Sequence, residues 1–384
     1  MRTITFLQPK RLTIGVGCIG DCISYLQHLN FPAVHIISSP SLRGMMDEIA
    51  GTVGSSGCVV TIDTGINEEP TISIFEQAVA RARRTRTTCV LGIGGGSVLD
   101  IAKLVAAFVD SEQNVEDTFG VGLLRVRNCH LVCIPTTAGT GSEVSPNAIL
   151  LDEKAKLKKA VISPFLVPDA TFIDPQMTLS MPPAVTASTG LDALTHCVEA
   201  YTNKFAHPLV DVYALQGITL CHRYLSRAVR QPDDLEAREG MSIASLYGGL
   251  CLGPVNTAAV HALAYPLGGE FQVPHGLSNA ILLPHVFRFN AKATPSRHAT
   301  VAIALGVPRS SDDLNTAYDG VERLQQLLAE CGVSANLSQY NVNRSSIAGM
   351  AKSAMTVTRL LNNNPRDIDE AACVQIYHDC FQEQ

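Results

Sequence analysis

The sequence predicts a two-part fold: an N-terminal α/β domain on a parallel, Rossmann-like sheet, followed by an all-α C-terminal domain. Three observations predict it. The chain is 384 residues long, more than one hydrophobic core usually supports. Its first half alternates short apolar runs with amphipathic stretches, the βαβ pattern of a parallel sheet. After Pro182-Pro183 the strand signals vanish and long helical patterns rich in small residues take over. The boundary falls near Met181, giving domains 1–181 and 182–384.

Taken in order, the apolar runs predict strands at 33–38, 59–63, 89–92 and 130–135, and the amphipathic stretches predict helices at 21–29, 42–50, 72–84 and 98–109. Residues 4–7 read as a further strand, a plausible sheet edge for pairing between copies. In the second half, 210–224, 235–251, 313–331 and 345–361 read as helices. Residues 256–276 place His261 at the end of a small-residue helical turn and His275 just after Pro274, with the Gly268-Gly269 pair predicted to break the chain between them.

Composition narrows the functional classes. An apolar fraction of 46% supplies sizeable cores. A net charge of −6 with no basic block argues against a nucleic acid or an anionic membrane as partner. No run of about eighteen apolar residues is present, and the N-terminus lacks a secretory apolar core. A soluble, cytoplasmic protein is expected. The 12 cysteines are scattered through apolar segments and read as buried free thiols; Cys18 and Cys22 have no second pair nearby to complete a zinc site.

Two glycine-rich stretches follow predicted strands. Gly94-Gly95-Gly96-Ser97 opens a helix, so its backbone N–H groups and the helix N-terminus suit a pyrophosphate, and Ser97 can cap the helix and bond a phosphate oxygen. Thr136-Thr137-Ala138-Gly139-Thr140 offers hydroxyls and glycine for a ribose or adenine wall. Two such loops after neighbouring strands predict a dinucleotide site. The literal G-x-G-x-x-G at Gly15, Gly17 and Gly20 is a weaker signal, because no acidic residue closes the second strand.

The second half carries a candidate metal set. Asp192 and His196 stand four apart and leave one helix face. Asp192 has no basic partner nearby in sequence, and burying an unpaired carboxylate is costly unless a cation removes the penalty. With His261 and His275 they offer one oxygen and three nitrogens, a set suited to Fe(II) or Zn(II).

These residues carry a resemblance. G-G-G-S-V-L-D-I-A-K, P-T-T-A-G-T-G-S-E-V, G-L-D-A-L-T-H, V-P-H-G-L-S-N-A-I-L-L-P-H-V and N-N-P-R occur in order, and nearly end to end the chain resembles the iron-containing (group III) alcohol dehydrogenase family. The resemblance implies a dehydroquinate synthase-like architecture, with the active site in a cleft between the domains, and a metal-dependent, NAD(P)-linked hydride transfer on a short-chain alcohol or aldehyde. It implies a homodimer or larger homo-oligomer. It puts Asp192, His196, His261 and His275 on the metal-ligand positions, with Fe(II) favoured and Zn(II) the alternative. Gly94, Gly95, Gly96 and Ser97 fall on the pyrophosphate loop. Thr136, Thr137, Thr140, Lys158 and Met177 fall near the cofactor, and Leu252 near the substrate. Asp192, His261 and Tyr265 fall on or beside the reacting centre.

Two positions depart from the family pattern. Ser39 stands where a ribose-binding Asp is common, which removes repulsion against a 2′-phosphate and predicts that NADP(H) is accepted; Arg43 is near enough in sequence to pair with that phosphate. Tyr265 stands where many relatives carry a histidine, and a phenol shuttles protons poorly at neutral pH unless perturbed. Maleylacetate reductases and hydroxyacid–oxoacid transhydrogenases resemble the same family and are the alternative readings. A non-catalytic nucleotide-binding dimer is the alternative from another class.

Overall fold

The computed structural model describes residues 2–55, 57–66, 69–155 and 157–381. The chain divides into two compact units. One comprises Phe6–Thr137 and Gly141–Thr178; the other holds Ala138–Thr140, the segment before Phe6 and the chain from Leu179 onward.

The first unit runs β1 (Arg11–Ile14), α1 (Ile19–Leu29), β2 (Ala33–Ser38), α2 (Arg43–Gly54), β3 (Val59–Asp63), α3 (Ile72–Arg84), β4 (Cys89–Gly94), α4 (Gly96–Phe108), β5 (Gly120–Val121), β6 (His130–Pro135), β7 (Asn147–Asp152), β8 (Leu157–Ile162) and β9 (Ala170–Ile173). Six strands form a parallel sheet in the order β1-β9-β6-β4-β2-β3. Every residue of β2 and β4 is buried, as expected of parallel strands covered on both faces. Side chains alternate across the sheet. Cys89, Leu91 and Ile93 of β4 join Val132 and Ile134 of β6 in a core with α1 and α2, whereas Val90, Leu131 and Cys133 face α3 and α4.

A small second sheet, β5-β8-β7, has β7 and β8 antiparallel. Strand 89–92 extends to Gly94, whereas 33–38, 59–63, 72–84 and 130–135 coincide with the observed elements.

The second unit is helical among the described residues: α5 (Pro183–Thr202), α6 (Pro208–Arg230), α7 (Leu235–Leu252), α8 (Ala259–Phe271), α9 (His275–Ala291), α10 (Pro295–Ala304), α11 (Asp313–Glu330), α12 (Ile347–Met355), α13 (Thr358–Leu361) and α14 (Glu370–Asp379), with short 3-10 turns. From Gly190 to Thr202 every residue of α5 is buried, because α6, α7 and α9 pack around it.

Three expectations need correction. Residues 4–7 form no strand; Ile4 packs on the helical core, and the sheet edge is β1. The predicted helix 345–361 is interrupted at Thr356-Val357, where three consecutive β-branched residues oppose the helical backbone. Gly268-Gly269 does not break α8, which continues through Pro266 and both glycines to Phe271, so His261 lies near its start. Burial of most of α8 outweighs its poor intrinsic propensity, and the chain turns instead at Gln272, with φ +57°. Among the described residues no helix is long and apolar enough to cross a membrane.

Candidate metal centre and nucleotide loops

Three helices of the second unit bring the candidate ligands together. Helix α5 presents Asp192 and His196 one turn apart, α8 presents His261, and α9 begins at His275 directly after Pro274. Asp192 Oδ1 lies 3.9 Å from His196 Nε2, 3.8 Å from His261 Nε2 and 3.8 Å from His275 Nε2. One ligand atom from each of Asp192, His261 and His275 lies within 4.8 Å of the other two. His196 flanks this set, its ring stacked on His261 at a centroid distance of 4.8 Å.

Glu199, one turn beyond His196, fixes the proton on His261. Its Oε1 accepts from the Val260 backbone N–H at 2.6 Å, and its Oε2 faces His261 Nδ1 at 2.5 Å. A carboxylate partner places the hydrogen on Nδ1 and leaves the Nε2 lone pair toward Asp192. The two electron-pair donors then lie 3.8 Å apart, and the hydrogens that lie near both belong to the Asn279 amide nitrogen, 2.7 and 3.1 Å away. A cation about 2.1 Å from each atom, the usual bond length to such ligands, spans a separation of roughly 3.0 to 4.2 Å, depending on the angle between the bonds. The residues present therefore fit a divalent cation.

Burial pushes the Asp192 carboxyl upward, but the surrounding His196, His275 and His261, with a hydrogen bond from Asn279, outweigh it and hold the group below the ordinary carboxylate range. For His196 burial prevails over the attraction of Asp192 and lowers its affinity for a proton, which suits a neutral ligand. Sequence reasoning missed both Glu199 and Asn279. Each carried a signal: Glu199 follows Asp192 by seven residues and Asn279 follows His275 by four, so each continues a ligand-bearing helix face.

The nucleotide loops belong to the first unit. Strands β2, β4 and β6 are neighbours, with Ser38 opposite Ile93 and Gly94 opposite Pro135. Their C-terminal ends carry Ser39, the Gly94–Ser97 turn and Thr136-Thr137 side by side. The Thr136 amide donates to the Gly94 carbonyl at 2.9 Å, and a Cβ at Gly95 would meet Thr137 at 3.3 Å. A Cβ at Gly94 would stand 2.5 Å from Val98, so only glycine fits this turn.

No side chain caps α4 and its first turn holds no acid, leaving its N-terminal dipole available to an anion. Helix α1 differs, because Asp174 already accepts from the Ile19 amide at 3.3 Å. The Gly15–Gly20 match is therefore a strand-to-helix turn answered by the chain's own carboxylate.

The remaining predicted residues are more dispersed. Lys158 on β8 pairs with Glu69, and Met177 is 7% exposed within the core beneath α1 and α2. Thr140 groups with the helical unit. Arg43 donates its single Nε–H to both carboxylate oxygens of Asp47, at 3.0 and 3.2 Å. Tyr265 stands one turn after His261 on α8, partly buried against the helical core.

Known proteins match this architecture along its length. A family profile described as "Iron-containing alcohol dehydrogenase" matches residues 9–175, and "Fe-containing alcohol dehydrogenase family, C-terminal" matches residues 186–381. Long-chain-alcohol dehydrogenase 1 of Geobacillus thermodenitrificans (strain NG80-2) is 36% identical over 379 residues, covering 97% of this chain and 95% of that protein. A crystal structure of 1,3-propanediol oxidoreductase superposes with a TM-score of 0.95 at 31% identity, covering 99% of this chain and 100% of that one. The sulfoacetaldehyde reductase of Bifidobacterium kashiwanohense, solved in complex with NAD+, gives a TM-score of 0.89 at 26% identity, with 99% of each chain covered. With both family profiles matched and a relative above 30% identity along nearly its whole length, this chain belongs to the iron-containing alcohol dehydrogenase family of oxidoreductases.

Proposed function

We propose that the chain is a metal-dependent, NAD(P)-linked alcohol dehydrogenase that reduces short-chain aldehydes, or oxidises the corresponding alcohols, by hydride transfer. The observation that carries this reading is the buried Asp192 oxygen ringed by three imidazole Nε2 atoms at 3.8–3.9 Å. Asp192, His196, His261 and His275 are the groups that would hold a divalent cation. Three nitrogens and one oxygen suit Fe(II) or Zn(II) alike; membership of the iron-containing family favours Fe(II), with Zn(II) as the alternative. When bound, the cation supplies Lewis acidity toward a carbonyl or alcohol oxygen.

The chain's own groups supply the rest. Glu199 holds the Nδ1 hydrogen of His261, so that Nε2 stays a lone-pair donor. Burial of Asp192, His196 and His261 keeps competing water away. The phenol of Tyr265, one turn beyond His261, is a group that can orient a substrate oxygen. The glycine turn at Gly94–Gly96, Ser97 and the adjoining threonines support a nicotinamide cofactor by seating its pyrophosphate on the α4 N-terminus. The NAD+ complex of the sulfoacetaldehyde reductase neighbour supports the same reading.

The test is oxidation of NADPH and of NADH with a short aldehyde before chelation, after it, and with Fe(II) or Zn(II) returned. Activity lost on chelation and restored by one metal is expected. Activity indifferent to chelation overturns the metal-dependent reading and moves maleylacetate-type reduction to the front.

A further inference from the structure

Asn279 lies on α9, one turn after His275, and is fully buried. Its amide nitrogen is 2.7 Å from Asp192 Oδ1, 3.1 Å from His261 Nε2 and 3.3 Å from His275 Nε2. One nitrogen thus reaches three of the four candidate ligand atoms at once. It carries only two hydrogens for them. Its partner atom fares worse: among the described residues, the buried Asn279 Oδ1 meets no hydrogen-bond donor, a loss of about 1–3 kcal/mol for a group of this kind.

A cation bonded to Asp192, His261 and His275 would lie against the hydrogens of that amide nitrogen, whose partial positive charge opposes it. Turning the amide over about χ2 exchanges nitrogen for oxygen with almost no change of shape. The carbonyl oxygen then faces the cation, and the NH2 group takes the place where Oδ1 now sits.

We infer that Asn279 is a reversible donor of the metal centre: its amide bridges Asp192, His261 and His275 through nitrogen, and turns over on cation entry to add its oxygen as a fifth ligand. This inference rests on the metal-centre reading above. It gives the centre three nitrogens and two oxygens, and a coordination number above the four that Zn(II) prefers in closed sites. Asn279 in this way biases the choice among divalent metals toward one that accepts five or six ligands.

The test uses the full-length protein stripped of metal and titrated with Co(II), whose visible absorption strengthens as coordination falls toward tetrahedral. Wild type is expected to bind one Co(II) with a weak, five- or six-coordinate spectrum. Asn279→Leu, which keeps the shape but has no donor, is expected to bind about tenfold more weakly with a stronger, tetrahedral-type spectrum. Asn279→Asp, whose oxygen needs no turn, is expected to bind at least as tightly and to show a larger Co(II)-induced rise in Tm.

Wild-type affinity and spectrum in Asn279→Leu overturn the inference while leaving the metal centre intact. Should that variant not fold, a Co(II) affinity in Asn279→Asp more than tenfold below wild type overturns it instead. Equal Co(II) uptake by wild type and His261→Ala overturns the metal-centre reading itself, and the inference with it.

Discussion

Glu199 and His261 are joined by a 2.5 Å contact from Oε2 to Nδ1, with both residues no more than 4% exposed. The contact fixes the tautomer of His261, and the 2.6 Å bond from the Val260 amide anchors Glu199 to the start of the same helix. Replacing Glu199 by Gln keeps the size but lets an amide NH2 face Nδ1, which favours the other tautomer and turns a hydrogen toward Asp192. We predict that Glu199→Gln binds Fe(II) or Zn(II) about 10–100-fold more weakly than wild type. Metal titration with competing chelators checks it, and an unchanged affinity removes the orienting role.

Gly276 sets how closely α9 approaches α5. A Cβ there would lie 2.2 Å from the Ser188 carbonyl oxygen and 2.9 Å from its carbon, and backbone cannot yield as a side-chain tip does. Since His275 is the preceding residue, Gly276→Ala moves a candidate ligand away from Asp192. The expected result is a stability loss of about 1–3 kcal/mol, read from denaturant midpoints, together with at least tenfold weaker metal binding.

The residues show what the sequence could and could not disclose. Strands β2 and β6 were legible because their apolar runs are buried on both faces and bounded by turn residues. Strand β8, L-K-K-A-V-I, was not, because two adjacent lysines interrupt its apolar run; their charges are answered by Glu69 and Asp152. The pairing of β8 with β7 depends on contacts that periodicity does not report. In the centre, Asp192 and His196 declared themselves by their four-residue spacing, whereas the roles of Glu199 and Asn279 depend on α8 and α9 being brought to α5. Gly268-Gly269 suggested a break that burial overrode.

Ser39 at the end of β2 hydrogen-bonds Ser41 through its hydroxyl at 2.9 Å and places no carboxylate there. Arg43 is held by Asp47 in an exposed i,i+4 pair, an interaction worth only about 0.3–0.5 kcal/mol, so releasing it toward a 2′-phosphate costs little. We predict that wild type uses NADPH at least as well as NADH, and that Ser39→Asp lowers kcat/KM for NADPH by about tenfold or more while sparing NADH. Steady-state kinetics with both coenzymes decides; a wild-type enzyme strongly favouring NADH refutes the first half.

Glu143, 2% exposed just after the threonine loop, has its carboxyl pushed up to about 7 by burial, against the opposing pull of its own backbone N–H and of Lys103. The same burial lowers the Lys103 amine, which is held by Ser142, Ser145 and Asn147. A raised folded-state value means that the folded chain keeps a proton which the unfolded chain gives up near 4.5. Stability contributed by this site is therefore complete below about pH 4.5, falls as pH rises through the window to about 7, and stays reduced above it, by about 3 kcal/mol. Glu143→Gln carries no charge to desolvate. Its advantage over wild type should be absent near pH 4.5, grow between pH 5 and 7, and level off beyond. Denaturant midpoints of both proteins across pH 4.5–8 provide the check. A difference that does not change with pH would show that Glu143 keeps its charge in the folded chain, with Lys103 compensating it.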